Sequence, residues 1–356
     1  MKISSFGVSE ENVRLIGRYV IKDGTLWLVQ SGSAAEFTVI GKTAELIIKG
    51  DSSIHSPFYH RPRFAVYVNE KLIIDKTTDK PEEVIGLFAG ENTVTVKVKV
   101  MMLSEAEYGA VGIGCINIDT DENAPIRPTP KKDMSIEFIG DSITCAYGVE
   151  GAGCSDPFRT STENFTRSYA YLTSQKLKAD YSAVCYSGHG IISGYNTSGV
   201  KDTQRLVPDF YGKASKLPDY SEKWDFDKHK NDIVVVNLGT NDSSYITADG
   251  RMHFDERINE FMEGYIAFLK TVREKNRDAY IICTFGTMDN DDIHGHVGKA
   301  ADRYIKETHD SRVIFVHTEL QRESDGYGCD WHPSEITHRK LADMLADKIS
   351  SILAAV

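Results

Sequence analysis

The stretch IEFIGDSITCAYG, residues 136–148, decides how the second half of the chain is interpreted. Its first residues are mostly apolar without clean alternation, which is typical of a strand buried on both faces of a parallel sheet. The apolar run stops at Gly140, and Asp141 and Ser142 follow at once. Ser142 therefore either caps a helix that begins after the strand, or stands at a strand end as a nucleophile.

Four more segments resemble this apolar run, and helix-length segments separate most of them. They are YSAVCYSG (181–188), DIVVVNLGTND (232–242), AYIICTFG (279–286) and RVIFVHT (312–318). The clearest helix, DERINEFMEGYIAFLKTVREKN (255–276), carries its apolar residues on one face. Alternating buried strands and helices predict an α/β domain with a doubly wound parallel sheet over residues 134–356. Binding sites in such sheets lie beyond the carboxyl ends of the strands.

The first 120 residues follow a different pattern. Apolar and polar residues alternate, as at Val94, Val96, Val98 and Val100, and Gly and Ser punctuate the segments. We therefore predict an all-β, jelly-roll-like antiparallel sandwich over residues 1–120. A carbohydrate-binding role for it rests on fold-level analogy alone. Residues 121–133 hold three prolines among charged residues, and we predict that they link the two domains.

Composition narrows the classes of partner. The net charge is −11, from 52 acidic against 41 basic residues. This balance argues against nucleic acid or an anionic membrane as the main partner, since both require basic surface. A neutral sugar suits it better. The six cysteines include no C-x-x-C pair, and we expect neither a metal nor an organic cofactor.

The start of the chain, MKISSFGVSEENVRLIG, has no apolar signal-peptide core, and no run approaches 18 apolar residues. As written, the chain is expected to be cytoplasmic. Secretion after removal of a signal stays open, and so does the oligomeric state.

Polar, glycine-containing stretches follow four of the predicted strands and meet at one edge of the sheet. They are Gly140–Ser142, Gly188–Gly190, GTND (239–242) with Asn241 and Asp242, and GYGCDWHPS (326–334) with Asp330, Trp331 and His332. A serine hydroxyl is a weak nucleophile until a neighbouring base, such as an imidazole, removes its proton. The tetrahedral oxyanion then requires preorganised N–H donors. The four stretches together contain all of these groups.

The motifs GDSIT, a second-strand Gly, GTND and DWHP, in this order, resemble the four blocks of SGNH (GDSL-type) hydrolases. With a β-sandwich in front, GDSITCAYG and GCDWHPS resemble carbohydrate esterase family 2. The resemblance implies a flavodoxin-like hydrolase domain that removes acetyl groups from plant polysaccharides such as xylan and glucomannan. It also implies Ser142 as nucleophile, His332 as base and Asn241 as oxyanion donor beside the Ser142 N–H. The second-block donor is either Gly188 or Gly190, and we favour Gly190.

The third member of the catalytic group departs from the resemblance. SGNH enzymes usually carry Asp three residues before the His, where this chain has Cys329. Either Asp330 orients His332, or a main-chain carbonyl such as that of Trp331 does so and Asp330 points elsewhere. Asp242 is expected to brace its own loop by local hydrogen bonds.

Three residues are expected to contact substrate: Asp141, His189 and Trp331. Trp331 is either core packing or an aromatic platform for a sugar ring, and Tyr147, Tyr195 and Tyr245 are weaker candidates for the second role. His189 either lines the pocket or is solvated.

Two rival functions remain at this point. The protein is a lipase or thioesterase of the same superfamily, or a catalytically dead scaffold that binds carbohydrate. The segment NDDIHGHVG, with Asp291, Asp292, His294 and His296, is interpreted as a polar loop rather than a metal site.

Overall fold

A computed structural model describes residues 3–288 and 291–354, and they divide into two units. The first unit holds the chain up to Lys132 together with Arg159–Glu163 and Ala214–Glu222. The second holds Asp133–Phe158, Asn164–Lys213 and the chain from Lys223 onward. The predicted boundary near residue 133 lies where the first unit's main segment ends, but two later segments also belong to that unit.

The first unit contains one antiparallel sheet, with the central strand order β3-β4-β9-β5-β8-β6-β7. Its strands are β1 (Ile3–Gly7), β2 (Arg14–Ile16), β3 (Tyr19–Lys22), β4 (Thr25–Leu28), β5 (Ala34–Gly50), β6 (Arg63–Val68), β7 (Lys71–Thr77), β8 (Glu82–Met102), β9 (Val111–Asp119) and β10 (Ile126–Pro128). The prediction of an antiparallel β domain is confirmed.

The long strand β5 explains how this sheet curls. Along one edge it pairs in turn with β2, β10 and β9, while β8 runs along the other. Its register against β8 shifts twice between Gly41 and Glu45, and such bulges bend a strand and increase its twist. The segment 121–133 is not a simple linker, because Ile126–Pro128 within it forms β10.

The second unit is built on a parallel sheet with the order β12-β11-β13-β14-β15. Its strands are β11 (Ser135–Gly140), β12 (Asp180–Cys185), β13 (Ile233–Asn237), β14 (Tyr280–Thr284) and β15 (Val313–Phe315). Its α-helices are α1 (Ser142–Cys145), α2 (Tyr169–Lys176), α3 (Thr240–Ile246), α4 (Phe254–Lys275), α5 (Asp291–Thr308) and α6 (Glu335–Ala354). In chain order this is the 2-1-3-4-5 arrangement of flavodoxin-like folds, as predicted.

Packing of this sheet follows the sequence pattern. Every residue of β13 is buried, and α4 buries Phe261, Tyr265, Phe268 and Leu269 on one face. Gly140 of β11 pairs with Cys185 of β12 and with Asn237 of β13, so these three strands end level. The loops that follow them therefore start at the same edge, and β11 and β13 flank the point where strand order reverses.

Short 3-10 helices complete the described fold, at Ser52–His55, Phe58–His60, Thr160–Thr162, Phe165–Arg167, Val207–Asp209, Pro218–Tyr220, Asp249–Arg251, Glu323–Asp325 and Cys329–Trp331. Across the two described ranges, no helix combines the length and the apolar character that a membrane span requires.

Candidate active site

Ser142 is the first residue of α1, directly after β11. The cap of this helix is Asp141, whose carboxylate accepts the Ile143 N–H at 3.1 Å. The Ser142 hydroxyl is therefore not used for capping, and the Ser142 N–H has no acceptor within the helix. A Cβ at Gly140 would lie 2.0 Å from Thr144 Oγ1, so the tight turn at the strand end requires glycine there.

The base predicted from the last block lies against this serine. His332 Nε2 is 2.9 Å from Ser142 Oγ, although 190 residues separate the two along the chain. This is hydrogen-bond distance for proton transfer between the hydroxyl and the imidazole.

Main-chain carbonyls face the other ring nitrogen of the base. His332 Nδ1 lies 3.2 Å from the carbonyl oxygen of Cys329 and 3.2 Å from that of Asp330. A carbonyl can only accept, so Nδ1 carries the proton and Nε2 is left as the acceptor for the serine O–H.

The Asp330 carboxylate is directed elsewhere: its Oδ2 accepts the Tyr147 hydroxyl at 2.8 Å. The first alternative, in which this carboxylate orients His332, does not match the geometry. The carbonyl alternative does, with one correction. The carbonyl of Trp331 accepts the Gln321 side-chain amide at 2.8 Å, and those of Cys329 and Asp330 face the imidazole instead.

Burial sets the protonation of His332. It lowers the pKa of His332 from 6.5 to about 4, and the two carbonyls and the Asp330 charge oppose this only in part. A half-buried imidazole of this kind is neutral at pH 7, which is the form that can accept a proton.

Asn241, which the sequence suggested as an oxyanion donor, is held in place on α3. Its side chain is 6% exposed, and Nδ2 lies 2.9 Å from the His189 carbonyl oxygen and 3.3 Å from Asp141 Oδ2. Both amide hydrogens therefore have acceptors, and the longer hydrogen bond, to Asp141, is the weaker of the two.

The amide of Gly190, our favoured second-block donor, is already engaged. It donates to the Arg205 carbonyl at 3.1 Å, and a Cβ at Gly190 would lie 2.0 Å from the Ser193 carbonyl oxygen. Gly190 is thus required for close backbone approach. The amide of Gly188, at φ +75°, donates to no acceptor within the described ranges. The geometry therefore favours Gly188 over Gly190 as the second-block donor.

Asp242 braces a loop other than its own. Its carboxylate accepts the N–H groups of Ile191, Ile192 and Ser193 at 2.7–3.0 Å, about fifty residues back along the chain. The structural role matches the expectation, but the hydrogen bonds are made to a distant loop and not to the residue's own.

Asp141 is also buried. Its burial, aided by the nearby Asp242 charge, raises the pKa of Asp141 to about 7.

The three predicted substrate contacts differ in exposure. Asp141 and His189 are each 1% exposed, and His189 Nδ1 lies 2.9 Å from the Ser187 carbonyl oxygen. Their side chains offer almost no surface to a sugar, so both expectations fail on accessibility. Trp331 is 58% exposed and packs edge-on against Tyr327, which rules out the core-packing alternative.

Sequence reasoning named Tyr147 only as a weaker candidate for a sugar platform and missed its contact with His332, which, with Phe158 on the other side, covers both faces of the tyrosine ring. The Tyr147 ring stacks on His332 with centroids 4.1 Å apart, and Phe158 stacks on the far side of Tyr147 at 4.3 Å. Tyr147 follows Ser142 by only five residues, and this proximity to the nucleophile was the available signal. Gln321 left no signal in the sequence.

The segment interpreted as a polar loop is helical from Asp291 onward, as the start of α5. The side chains of Asp291 and Asp292 lie outside the described residues. The His294 ring packs against His317, with centroids 4.1 Å apart. In the described part of the chain, no group of three or more His, Cys, Asp or Glu side chains could hold a metal ion.

Comparison with known proteins identifies the family of the chain. A family described as GDSL-like Lipase/Acylhydrolase matches residues 136–345, which is more than half of the chain. The chain is 31% identical over 332 residues to the cellulase/esterase CelE of Acetivibrio thermocellus. That match covers 91% of this chain but 37% of CelE, so the chain spans little more than a third of that relative.

Two further likenesses extend over nearly the whole chain. An acetylxylan esterase / glucomannan deacetylase of Cellvibrio japonicus is 24% identical, with 98% of this chain and 91% of the relative covered. A family two carbohydrate esterase of Clostridium thermocellum, solved in complex with cellohexaose, has a TM-score of 0.83 at 28% identity. The match covers 97% of this chain and 100% of that one.

Proposed function

Because the chain belongs to the GDSL-like lipase/acylhydrolase family, we propose that it is a serine esterase that removes O-acetyl groups from plant cell-wall polysaccharides or oligosaccharides. The observation that carries the proposal is the 2.9 Å distance from Ser142 Oγ to His332 Nε2. The names of its relatives, acetylxylan esterase / glucomannan deacetylase and family two carbohydrate esterase, support the substrate class.

In the first half of the reaction, Ser142 Oγ attacks the acetyl carbonyl carbon while His332 Nε2 takes the hydroxyl proton. The electron pair of the C=O bond moves onto the oxygen. When the tetrahedral intermediate collapses, the bond to the sugar oxygen breaks, and that oxygen takes the proton from Nε2. The sugar alcohol leaves, and the acetyl group stays on Ser142.

In the second half, water attacks the acetyl-enzyme and His332 Nε2 takes a proton from it. Collapse breaks the bond to Ser142 Oγ, which recovers the proton, and acetate leaves. The Cys329 and Asp330 carbonyls hold the Nδ1 proton throughout, and they stabilise the imidazolium that forms in each half. This is a dyad in which main-chain carbonyls do the work of the usual carboxylate.

Three donors are assigned to the oxyanion: the N–H of Ser142, the N–H of Gly188 and the side-chain amide of Asn241. Each follows one of three neighbouring strands, β11, β12 and β13. Removal of one such donor typically costs about 3 kcal/mol in the transition state.

Trp331 is the assigned sugar platform. An exposed indole next to the base offers a flat apolar face to a pyranose ring. Its place in the chain, one residue before His332, ties the position of the ring to that of the base.

Acetate release from acetylated xylan, acetylated glucomannan and defined mono-acetyl sugars tests the proposal. Ser142→Ala and His332→Ala should each lower kcat by roughly 10³ or more. The exposed Ser351→Ala on α6 is a matched control that should retain the wild-type rate.

Two results would contradict the proposal. Faster turnover of octanoyl than of acetyl nitrophenyl esters would indicate a lipase or thioesterase. Failure of a serine-directed phosphonate to form an adduct on Ser142 would indicate a carbohydrate-binding protein without activity.

A further inference from the structure

We propose that Tyr147 and Gln321 are positioning residues, which together hold the turn Cys329–His332 in the conformation that orients the base. The inference rests on the proposed esterase function. In this proposal, a turn and the two side chains that hold it orient His332, which is the role of a carboxylate in most SGNH enzymes.

The turn adopts a backbone conformation that requires support. Asp330 and Trp331 are consecutive residues with φ +48° and φ +63°. Neither is glycine, and the left-handed region is unfavourable for residues with a Cβ. This conformation turns the carbonyls of Cys329 and Asp330 toward Nδ1. A turn that relaxed to ordinary φ values would lose one or both of these hydrogen bonds.

Tyr147 contacts both parts that have to be aligned. Its ring covers the imidazole of His332 at 4.1 Å with an interplanar angle of 29°, and its hydroxyl donates to the Asp330 carboxylate at 2.8 Å. Phe158 closes the stack from the other side at 4.3 Å. The tyrosine thus fixes the plane of the base and the first strained residue of the turn simultaneously.

The main chain ties Tyr147 to the nucleophile as well. Helix α1 ends at Cys145, its C-cap Ala146 has φ +62°, and the Tyr147 N–H donates to the Ser142 carbonyl at 3.0 Å. The next residue, Gly148, accepts the Cys329 N–H at 3.0 Å. The segment from Ser142 to Gly148 therefore connects the nucleophile to the turn that carries the base.

Gln321 fixes the second strained residue. Its Nε2 donates to the Trp331 carbonyl at 2.8 Å, while its own N–H donates to the Thr287 carbonyl at 2.7 Å. The Trp331 carbonyl is thereby held by an amide donor. This leaves the carbonyls of Cys329 and Asp330 to face His332.

Four variants separate the contacts. Tyr147→Phe keeps the stacked ring and removes the hydroxyl, whereas Tyr147→Leu removes both. Gln321→Glu replaces the amide donor by a carboxylate of the same shape, which repels the Trp331 carbonyl, and Gln321→Leu removes the hydrogen bond without adding charge. Tyr280→Phe, at the amino end of β14, and the exposed Gln175→Glu, on α2, are the matched controls.

We expect Tyr147→Phe and Gln321→Leu to lower kcat about 3- to 30-fold with little change in KM. Tyr147→Leu and Gln321→Glu should lower it about 100-fold. Loss of the stacked ring also admits water to His332, so the acid limb of the kcat/KM profile should move to higher pH in Tyr147→Leu but not in Tyr147→Phe. A residue that only stabilised the fold would leave this limb in place.

A double-mutant cycle tests the hydroxyl–carboxylate contact directly. If Tyr147 acts through Asp330, Tyr147→Phe combined with Asp330→Ala should be no slower than the slower single variant. The rate of phosphonate labelling of Ser142 is measured in parallel, because it reports activation of the serine without any sugar. If the wild type labels rapidly but releases no acetate, the proposed substrate fails while the positioning proposal can still be judged.

The positioning proposal is overturned if Tyr147→Phe and Gln321→Glu label and turn over at the wild-type rate. It is also overturned if both change KM alone, which would make the two residues substrate contacts. Near-ultraviolet circular dichroism and thermal unfolding identify variants that fail to fold. If Tyr147→Leu is one of them, Tyr147→Phe and Gln321→Leu still decide the matter.

Discussion

The carboxylate of Asp242 accepts the backbone N–H of Ile192 at 2.7 Å and so ties helix α3, which follows β13, to the loop after β12. The N–H groups of Ile191 and Ser193 share the same carboxylate at 3.0 Å. Asp242 is fully buried, so these three donors have no access to water in its place. Asp242, which follows the proposed oxyanion donor Asn241, therefore fixes the path of the loop that contains Gly188, another proposed donor.

Asp242→Ala should therefore destabilise the protein and lower its activity together. Three buried N–H groups would lose their carboxyl acceptor, and each unsatisfied group costs about 1–3 kcal/mol. We expect the free energy of unfolding in urea to fall by at least about 3 kcal/mol, and kcat to fall in the fraction that remains folded. Asp242→Asn keeps one acceptor oxygen, so its stability and kcat should lie between those of the wild type and those of Asp242→Ala. An alanine variant with wild-type stability would show that the loop does not depend on this carboxylate.

The pH dependence of activity should report the buried base. His332 must be neutral to accept the serine proton, and burial lowers its pKa from 6.5 to about 4. The acid limb of kcat/KM should then fall well below pH 6.5, near pH 4 to 5, instead of at the value of a solvated imidazole. A limb at pH 6.5 or above, measured on a neutral acetyl ester, would contradict this effect of burial.

The strand ends that carry the site could be predicted from the sequence, because buried strands of a parallel sheet have a clear apolar pattern and their carboxyl ends share one edge. The choice between Gly188 and Gly190 could not be predicted. The choice depends on which of the two amides donates to the Arg205 carbonyl, and that hydrogen bond joins two loop segments whose approach has no sequence pattern. The orientation of Asp330 was equally hidden, since a reversal of φ at two residues decides where its carboxylate points.

Local composition also misled in two places. Three prolines suggested a linker at 121–133, yet a short edge strand tolerates Pro128 at its end, and β10 forms there. The start of α5 resembled a loop because Asp, His and Gly dominate it, although Ile293 and Val297 are spaced as on one face of a helix and are both buried.

A second histidine should control stability in acid. His338 on α6 is 1% exposed, and its Nδ1 accepts the Tyr169 N–H at 3.2 Å, which requires an unprotonated Nδ1. Burial, with a smaller effect of His332, lowers its pKa from 6.5 to about 3. Between these two values the unfolded chain binds the proton and the folded chain does not, so the free energy of unfolding falls as pH drops below about 6.5.

His338→Asn tests this dependence. The amide oxygen can take over the Tyr169 N–H but cannot be protonated in this range. The variant should therefore lose less stability than the wild type between pH 7 and pH 4, by an amount on the order of 2–3 kcal/mol. Urea unfolding at several pH values measures it. Parallel wild-type and variant curves would assign the acid sensitivity to other groups.

The two second-block glycines should fail in different ways when replaced by alanine. At Gly190 a Cβ would lie 2.0 Å from the Ser193 carbonyl oxygen and 2.7 Å from Asp242 Oδ2, both rigidly held, so Gly190→Ala should mainly lower stability. At Gly188 the nearest atom is Arg205 Nη1 at 3.0 Å, and this side chain has to move by only a few tenths of an ångström, although its Nε and Nη2 donate to Asp202 and to the Tyr195 carbonyl. The positive φ of Gly188 adds strain of about 1–2 kcal/mol for alanine, which tilts the peptide that carries the proposed oxyanion amide. Gly188→Ala should thus stay folded, with kcat reduced about 10- to 100-fold and KM nearly unchanged. Thermal unfolding and steady-state kinetics on both variants distinguish the roles, and the assignment reverses if Gly190→Ala folds normally with reduced kcat while Gly188→Ala keeps full activity.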